Sequence, residues 1–385
     1  MGNLILFDMI SLNELLHPIT PAEFHADYDD RKPLHVPAGA GAPKRSLLDW
    51  DRFNQLLDQA SVWTPQTLTL VYNGEPIPPA EYCVDVTTQA GRILRPSPAR
   101  VQPLLAMGAS VICGEVQDLT PGLRSLSEAL SRTFAGLTGA NLYCSFGGVH
   151  AFETHYDLHH VFAVQVEGEK TWRLYRNRAD SPVDMPTDRV EAQQWFAQTR
   201  GPLMQEVHMR PGDVLYLPRG WYHDAMTTEG ASLHVTFSVT PLYGRILFRL
   251  LESAAMQNPQ FRTWLRPATE DAGRSLQAQL TAMGDTLAAL AGSVAFRDEV
   301  AMSQERLIPR NGGYTLPDRI ALTRLAPTGL LGPRITGPAA VAVDWAMKQP
   351  SVVLEDMIGQ FDFVPEDALR QAMAEAERAG ALKRI

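Results

Sequence analysis

The rhythm of apolar and polar positions changes twice along this chain. Up to about residue 130, short helical and strand-like patterns alternate. Ser11 to Leu16 and Pro21 to Tyr28 predict short helices, the second opened by Thr20 as N-cap and Pro21 as first helical residue. Trp50 to Ala60 predicts another, with Phe53, Leu56 and Leu57 on one face, and Thr67 to Tyr72 predicts a strand. Leu126 to Leu137 predicts a helix ending at Gly139. From Asn141 to Thr240 the pattern becomes short alternating runs: 141–146, 151–155, 161–166, 171–175, 206–209, 214–217 and 233–239. Glu167-Gly168 and Pro211-Gly212-Asp213 fall between runs, as hairpin or corner turns do. Many short strands at this spacing predict a sandwich or barrel, interrupted by an insert over 177–203.

After Thr240 the strand pattern stops. Leu276, Leu280, Met283, Leu287 and Leu290 recur at spacings of 4, 3, 4 and 3, an apolar helix seam that serves either packing within one chain or pairing with a second copy. Residues 310–336 are rich in Gly and Pro and predict a linker. Three further helices, 339–348, 352–360 and 365–380, precede a short strand at 382–385, the shape of a winged helix. From residue 301 onward there are ten basic and ten acidic side chains, so nucleic-acid binding is disfavoured and a structural or protein-contact module is expected.

Composition narrows the class. The 385 residues are 45% apolar and 20% charged, enough for two or three globular domains. A net charge of −9 argues against a general nucleic-acid binder and suits a basic partner. Cys83, Cys113 and Cys144 are too scattered for a disulfide framework or a thiolate zinc site, so they are expected to be buried thiols in a reducing cytoplasm. No segment has the roughly 18 unbroken apolar residues of a membrane span. Met1 to Asp8 has no basic residue ahead of its apolar run, unlike a secretory signal.

The sharpest chemical feature is His155-Tyr156-Asp157. In a strand, residues i and i+2 face the same side, so an imidazole and a carboxylate project together. The best third partner is His223, which follows a Gly-Asp turn, an apolar strand and a second turn at Pro218 to Gly220. Two histidines and one carboxylate form a facial triad with open positions, which suits ferrous iron binding a cosubstrate and dioxygen. Nearby histidines compete. His234 is the main rival third ligand, expected to share a face with Thr236 and Ser238. His150 lies nearby; His159 and His160 are expected at the pocket mouth or in solvent, and His208 in a strand ladder. Lys170 shares a strand face with Trp172 and Leu174; it is either an exposed lysine near a turn or a cation awaiting a ligand carboxylate.

These blocks together resemble the JmjC-type 2-oxoglutarate oxygenases, and within them the ribosomal oxygenases. The likeness rests on Phe24 to His35, Asn141-Leu-Tyr143, His155-Tyr-Asp157, Val164 to Tyr175, Gly212 to His223 and Ser232 to Ser238. It implies an α+β fold with a double-stranded β-helix core (the cupin or JmjC jelly roll), a helical dimerisation region and a C-terminal winged-helix-like module. The domains would be an N-terminal supporting region (1–130), the catalytic core (131–242), the helical region (243–303) and the C-terminal module (304–385). The resemblance makes His155, Asp157 and His223 the Fe(II) ligands and Lys170 the partner of the distal carboxylate of 2-oxoglutarate. Asn141, Tyr143 and Ser238 match positions near that cosubstrate. Where eukaryotic members of the family often carry acidic residues after the metal motif, this chain has Leu158-His159-His160.

The function implied is hydroxylation of a side chain in a protein or peptide, with 2-oxoglutarate converted to succinate and carbon dioxide, in a cytoplasmic homodimer paired through residues 243–303. Three rivals stand beside it. One is hydroxylation of a ribosomally made precursor peptide or a modified tRNA base, separable by mass spectrometry of the products. Another is a metal-binding cupin that is not an oxygenase, which would make no succinate. The last is a non-catalytic scaffold, which would keep its function without the metal ligands.

Overall fold

The computed structural model describes residues 11–39, 47–89, 91–147, 150–186, 188–227, 230–309 and 322–385. The reading of Met1 to Asp8 and the 310–321 part of the expected linker therefore lie outside the described residues. Two compact units divide the chain, Met1–Arg310 and Asn311–Ile385.

Local chemistry sets the helix starts of the first unit. In α1 (Leu12–Leu16) and α2 (Pro21–Asp27), Ser11 and Thr20 accept from the amides of Glu14 and Glu23, and those glutamates reach back to the cap amides, completing two capping boxes. Asp49 caps α3 (Trp50–Leu57), which stops short of Ala60. Two short helices, α4 (Pro79–Tyr82) and α5 (Pro98–Ala106), follow. The helix expected from Leu126 to Leu137 is displaced toward the N-terminus. Thr120 caps α6 (Pro121–Phe134) with Pro121 in its first turn, and Ala135 in a left-handed conformation ends it. Leu137 belongs to the next strand. The Thr-Pro start signal and the left-handed stop outweigh the apolar spacing that suggested the later boundaries.

The N-terminal part also supplies β1 (Leu34–Val36), β2 (Leu68–Tyr72), β3 (Glu75–Pro76), β4 (Cys83–Thr88), β5 (Gly91–Pro96) and β6 (Ser110–Cys113). Then come β7 (Gly136–Phe146), β8 (His150–His155), β9 (His160–Glu167) and β10 (Lys170–Arg178). The insert holds α7 (Arg189–Thr199), and β11 (Leu203–Met209), β12 (Val214–Leu217), β13 (Trp221–Met226) and β14 (Ala231–Pro241) complete the series. Every strand expected between residues 141 and 239 is present. The one missed is β13, whose Trp-Tyr-His-Asp-Ala-Met lacks clean alternation because both of its faces are covered.

Strands β4 and β5 pair as a separate two-stranded sheet; the other twelve form an eight-stranded sheet in the order β1-β12-β9-β14-β7-β6-β2-β3 and a four-stranded sheet in the order β11-β10-β13-β8. Between them Val161, Ala163, Trp172, Leu174, Met209 and Leu217 make one core. The other face of the large sheet packs on the N-terminal helices through Phe24, Leu123, Leu142, Phe162 and Phe237. Strand β9 is thus buried on both faces. The back of the small sheet is covered by α7, whose Ala192 and Phe196 meet Tyr156, Tyr175 and Tyr222. The three cysteines are buried and unpaired, as expected.

After β14, α8 (Ile246–Ala255), α9 (Arg274–Ala291) and α10 (Val294–Glu305) carry the expected helical region. No residue of α9 is fully buried; along its apolar seam Leu280 is exposed and Leu276, Met283, Leu287 and Leu290 are half-buried. In the second unit, β15 (Arg324–Pro327), α11 (Ala339–Ala346), β16 (Val352–Val353), α12 (Leu354–Gln360), α13 (Glu366–Arg378) and β17 (Leu382–Arg384) enclose Leu325, Val343, Met357, Leu369 and Met373. The expected linker is corrected here, because β15 is the central strand of a sheet ordered β16-β15-β17 and buries Leu325. Among the described residues no helix is long and apolar enough to cross a membrane.

The Glu167-Gly168 corner turns the chain from the large sheet to the small one. Gly168 has φ of +63°, and a Cβ built there would lie 1.9 Å from the Ala231 carbonyl oxygen. Gly168→Ala is expected to cost at least about 2 kcal/mol, read as a lowered denaturant midpoint of the first unit. A midpoint equal to the parent protein's would show that the turn has room to relax.

Candidate functional site

The site is built on a cross-strand pair. Strands β8 and β13 run antiparallel with His155 opposite His223, and their ring centroids are 4.5 Å apart. Asp157 follows two residues after His155 and puts Oδ2 3.5 Å from Nε2 of His223. One ligand atom from each of the three side chains lies within 4.8 Å of the others. The rings are held from behind. Nδ1 of His155 sits 2.8 Å from the Glu153 carbonyl oxygen, and Nδ1 of His223 sits 2.8 Å from that of Trp221. A carbonyl only accepts, so each Nδ1 carries the proton and each Nε2 presents its lone pair.

Electrostatics favours the same protonation pattern. Burial, helped by neighbouring His155, pushes His223 down to about 4, so it is neutral at pH 7. Burial acts upward on Asp157, but His155, His159 and His223 outweigh it and hold the carboxyl below its usual range. A neutral nitrogen lone pair and an ionised carboxylate are the forms that bind a divalent ion. Two imidazoles and one carboxylate, each oriented by a second contact or by the others, fit a first-row metal that keeps open positions. The donor set carries this fit.

All seven residues singled out in the sequence line one cavity of about 390 Å³: His155, Asp157, His223, Lys170, Asn141, Tyr143 and Ser238. Lys170 is only 5% exposed and donates from Nζ to Ser145 Oγ at 3.1 Å. Burial lowers its pKa to about 8. Asn141 Nδ2 reaches toward the Tyr143 hydroxyl at 3.4 Å, and Ser238 Oγ toward the Gly139 carbonyl oxygen at 3.4 Å.

The competing histidines separate clearly. His234 does share the cavity with Thr236 and Ser238, but it is outside the three-residue cluster. It stacks on Tyr143 at 4.9 Å, and burial together with Lys170 keeps it uncharged. Its Nδ1 and the Trp172 Nε1 are buried without a protein partner, and both residues line the cavity. Such orphaned groups suit a polar ligand. His159 lines the cavity, with Nε2 3.8 Å from Asp157 Oδ1. His160 is neither at the mouth nor in solvent. It is 3% exposed, 3.2 Å from the Tyr216 hydroxyl, and faces the core on the other side of β9. His160 opens β9, and alternation along that strand puts it on the face of Phe162 and Val164. His208 pairs with Thr171 in the β10–β11 ladder, as expected. The side chain of His150 lies outside the described residues. Trp172, Thr236 and Ala225 were not singled out as site residues; alternation from Lys170, Ser238 and His223 places all three on the cavity face.

An antiparallel two-sheet barrel with a His-x-Asp…His cluster inside is of the JmjC/cupin type. Residues 117–245 match the JmjC domain model. It is 31% identical over 227 residues to a mosquito protein, the "bifunctional lysine-specific demethylase and histidyl-hydroxylase NO66" of Aedes aegypti. That match covers 58% of this chain and 34% of the relative. It is 26% identical over 260 residues to zebrafish (Danio rerio) "ribosomal oxygenase 1", covering 65% of this chain and 45% of the relative. The chain thus spans less than half the length of these curated relatives. Its fold is similar to that of YcfD, a ribosomal oxygenase from Escherichia coli, with a TM-score of 0.50 at 14% identity over 95% of this chain and 98% of that one.

Lys170 gives a stability signature. Its pKa falls from 10.5 to about 8 on folding, so below pH 8 the fold carries the cost of desolvating the cation. Between those values the unfolded chain binds the proton that folded Lys170 has released, and stability rises with pH. Lys170→Met is expected to raise the unfolding free energy at pH 7 by up to about 3 kcal/mol, with the gain shrinking toward pH 10. A gain independent of pH in denaturant titrations would contradict this.

Proposed function

We propose that this chain is an Fe(II)- and 2-oxoglutarate-dependent dioxygenase that hydroxylates a side chain of a protein or peptide, releasing succinate and carbon dioxide. The observation that carries the reading is the convergence of His155, Asp157 and His223 in the same cavity as the buried cation of Lys170. The relatives' names, histidyl-hydroxylase and ribosomal oxygenase, support the reaction class and a protein substrate. When bound, the ferrous ion and 2-oxoglutarate supply the oxidising chemistry that a protein side chain cannot.

The chain's own residues then have distinct tasks. His155 and His223 present Nε2 because their Nδ1 protons are committed to backbone carbonyls. Asp157 supplies one anionic oxygen and so offsets part of the metal charge. Lys170 receives the distal carboxylate of 2-oxoglutarate, which restores the Coulomb partner that burial denies it. Asn141, Tyr143 and Ser238 offer polar contacts beside the cosubstrate. Val161, Trp172 and Ala225 keep the walls apolar and dry.

The wider organisation follows the same reading. Residues 1–130 support the barrel, 131–242 form the catalytic core, and 304–385 form a winged-helix-like module for structure or protein contact. Residues 243–303 pair two copies; the support is the open face of α8 and α9, where Phe248 is 76% and Leu280 44% exposed. A basic substrate suits the net charge of −9, and the cytoplasm suits three free thiols.

The test is to incubate the iron-loaded chain with ascorbate, 2-oxoglutarate and ribosomal proteins or peptides, and to measure succinate and a single-oxygen mass gain. His155→Ala and Asp157→Ala are expected to abolish turnover, and normal turnover in both would refute the ligand assignment. Metal binding without succinate would favour a non-oxygenase cupin. Lys170→Ala is expected to raise the 2-oxoglutarate requirement about thirtyfold, the loss of one charge-assisted contact of about 2 kcal/mol. In the parent protein, 2-oxoglutarate affinity is expected to weaken as pH rises through about 8, where Lys170 loses its proton. A flat profile from pH 7 to 9.5 in calorimetric titrations would remove Lys170 from that role.

A further inference from the structure

The backbone ladder is irregular just where the two histidines meet. Strands β8 and β13 pair His155 with His223, yet the next pair is Phe152 with Ala225, so three residues on one strand oppose two on the other. A bulge of this kind re-aims side chains and leaves register poorly fixed by backbone bonds alone. Behind the bulge, on the sheet face away from the metal cluster, the side chains form a closed network. Asp224, 7% exposed, accepts from the Tyr175 hydroxyl at 2.6 Å and from Thr154 Oγ1 at 2.8 Å. Both hydroxyls donate to the carboxylate, so each must accept from elsewhere. Arg200 meets that need: its Nη1 lies 2.6 Å from Thr154 Oγ1 and 2.9 Å from the Tyr175 hydroxyl, and its guanidinium sits 4.4 Å from the centroid of the Tyr175 ring.

Thr154 and Asp224 are the immediate chain neighbours of His155 and His223, and Tyr175 stands on β10, the next strand of the sheet. Arg200 is the C-cap of α7, so it comes from the insert that interrupts the barrel sequence. It borders a second cavity of about 530 Å³ on this outer face. The buried Asp224 charge has its counter-charge one hydroxyl away. Removing Arg200 leaves the two hydroxyl acceptors unmet and takes that counter-charge away.

We propose that Arg200, acting through Thr154, Tyr175 and Asp224, is a positioning residue that sets the register of β8 against β13 and thereby the separation of His155 and His223. The insert is then part of the metal site at one remove. This inference rests on the metal reading above.

The test uses the full chain and Co(II) as a spectroscopic probe. Calorimetric titration and the visible absorption of bound Co(II) are compared among the parent, Arg200→Ala, Thr154→Val and the control Gln193→Ala, which alters the outer cavity without touching the network. Arg200→Ala and Thr154→Val are expected to weaken Co(II) binding by about tenfold or more and to shift its absorption bands, with Gln193→Ala matching the parent. In the metal-free proteins, amides of β8 and β13 are expected to exchange faster in the first two variants than in the control. Parent-like affinity, spectrum and exchange in a folded Thr154→Val protein would overturn the proposal, whether or not Arg200→Ala folds. Failure of the parent itself to bind Co(II) would sink the metal reading instead. The exchange comparison would then decide the register claim on its own.

Discussion

The cross-strand meeting of His155 and His223 is the constraint on which the rest of the site depends. His155 and Asp157 share one segment, and the second imidazole comes from a distant one. The antiparallel pairing of β8 and β13 brings two distant stretches of chain to a ring separation of 4.5 Å. Backbone carbonyls then fix the tautomers from behind. Asp157 follows two residues after β8 ends at His155 and lines the same cavity. Strand pairing thus brings the rings together, and two hydrogen bonds to backbone carbonyls orient them.

A barrel interior is a poor solvent for charge, and this one holds several titratable groups. Lys170, His223 and His234 are all pushed toward their neutral forms by burial. Asp157 stays ionised because imidazoles surround it. The cavity therefore stores unfavourable desolvation that an anionic ligand and a divalent cation would relieve together. Orphaned nitrogens on His234 and Trp172 fit the same picture. The surrounding apolar layers make this tolerable. One core lies between the sheets, another behind the large sheet, and an aromatic cluster under α7 backs the small sheet.

Much of this is legible in the sequence. Alternation located the barrel strands, and i, i+2 spacing placed His155 with Asp157 and Lys170 with Trp172. The misreadings have specific causes. Strand β13 was missed because Tyr222 and Asp224 are buried behind the sheet while His223 and Ala225 are enclosed within it, which erases the polar-apolar rhythm. The α6 boundaries slipped because apolar spacing was read without the Thr120-Pro121 start. His160 was misplaced by one position of alternation, which in a strand means the opposite face. The Gly/Pro-rich stretch concealed β15 because a four-residue central strand carries too few positions to show a period.

By itself, the sequence determined the local facts: which segments extend, where helices start, and which neighbouring side chains share a face. These depend on backbone sterics and short-range hydrogen bonds, so they are written in a few adjacent residues. Tertiary structure alone decided how closely His223 approaches His155 and Asp157, that the 177–203 insert reaches the back of the strands carrying the two histidines, and how far each pKa moves. Those outcomes depend on strand register and on burial. Both are properties of contacts between residues far apart in the chain, and no local pattern encodes them.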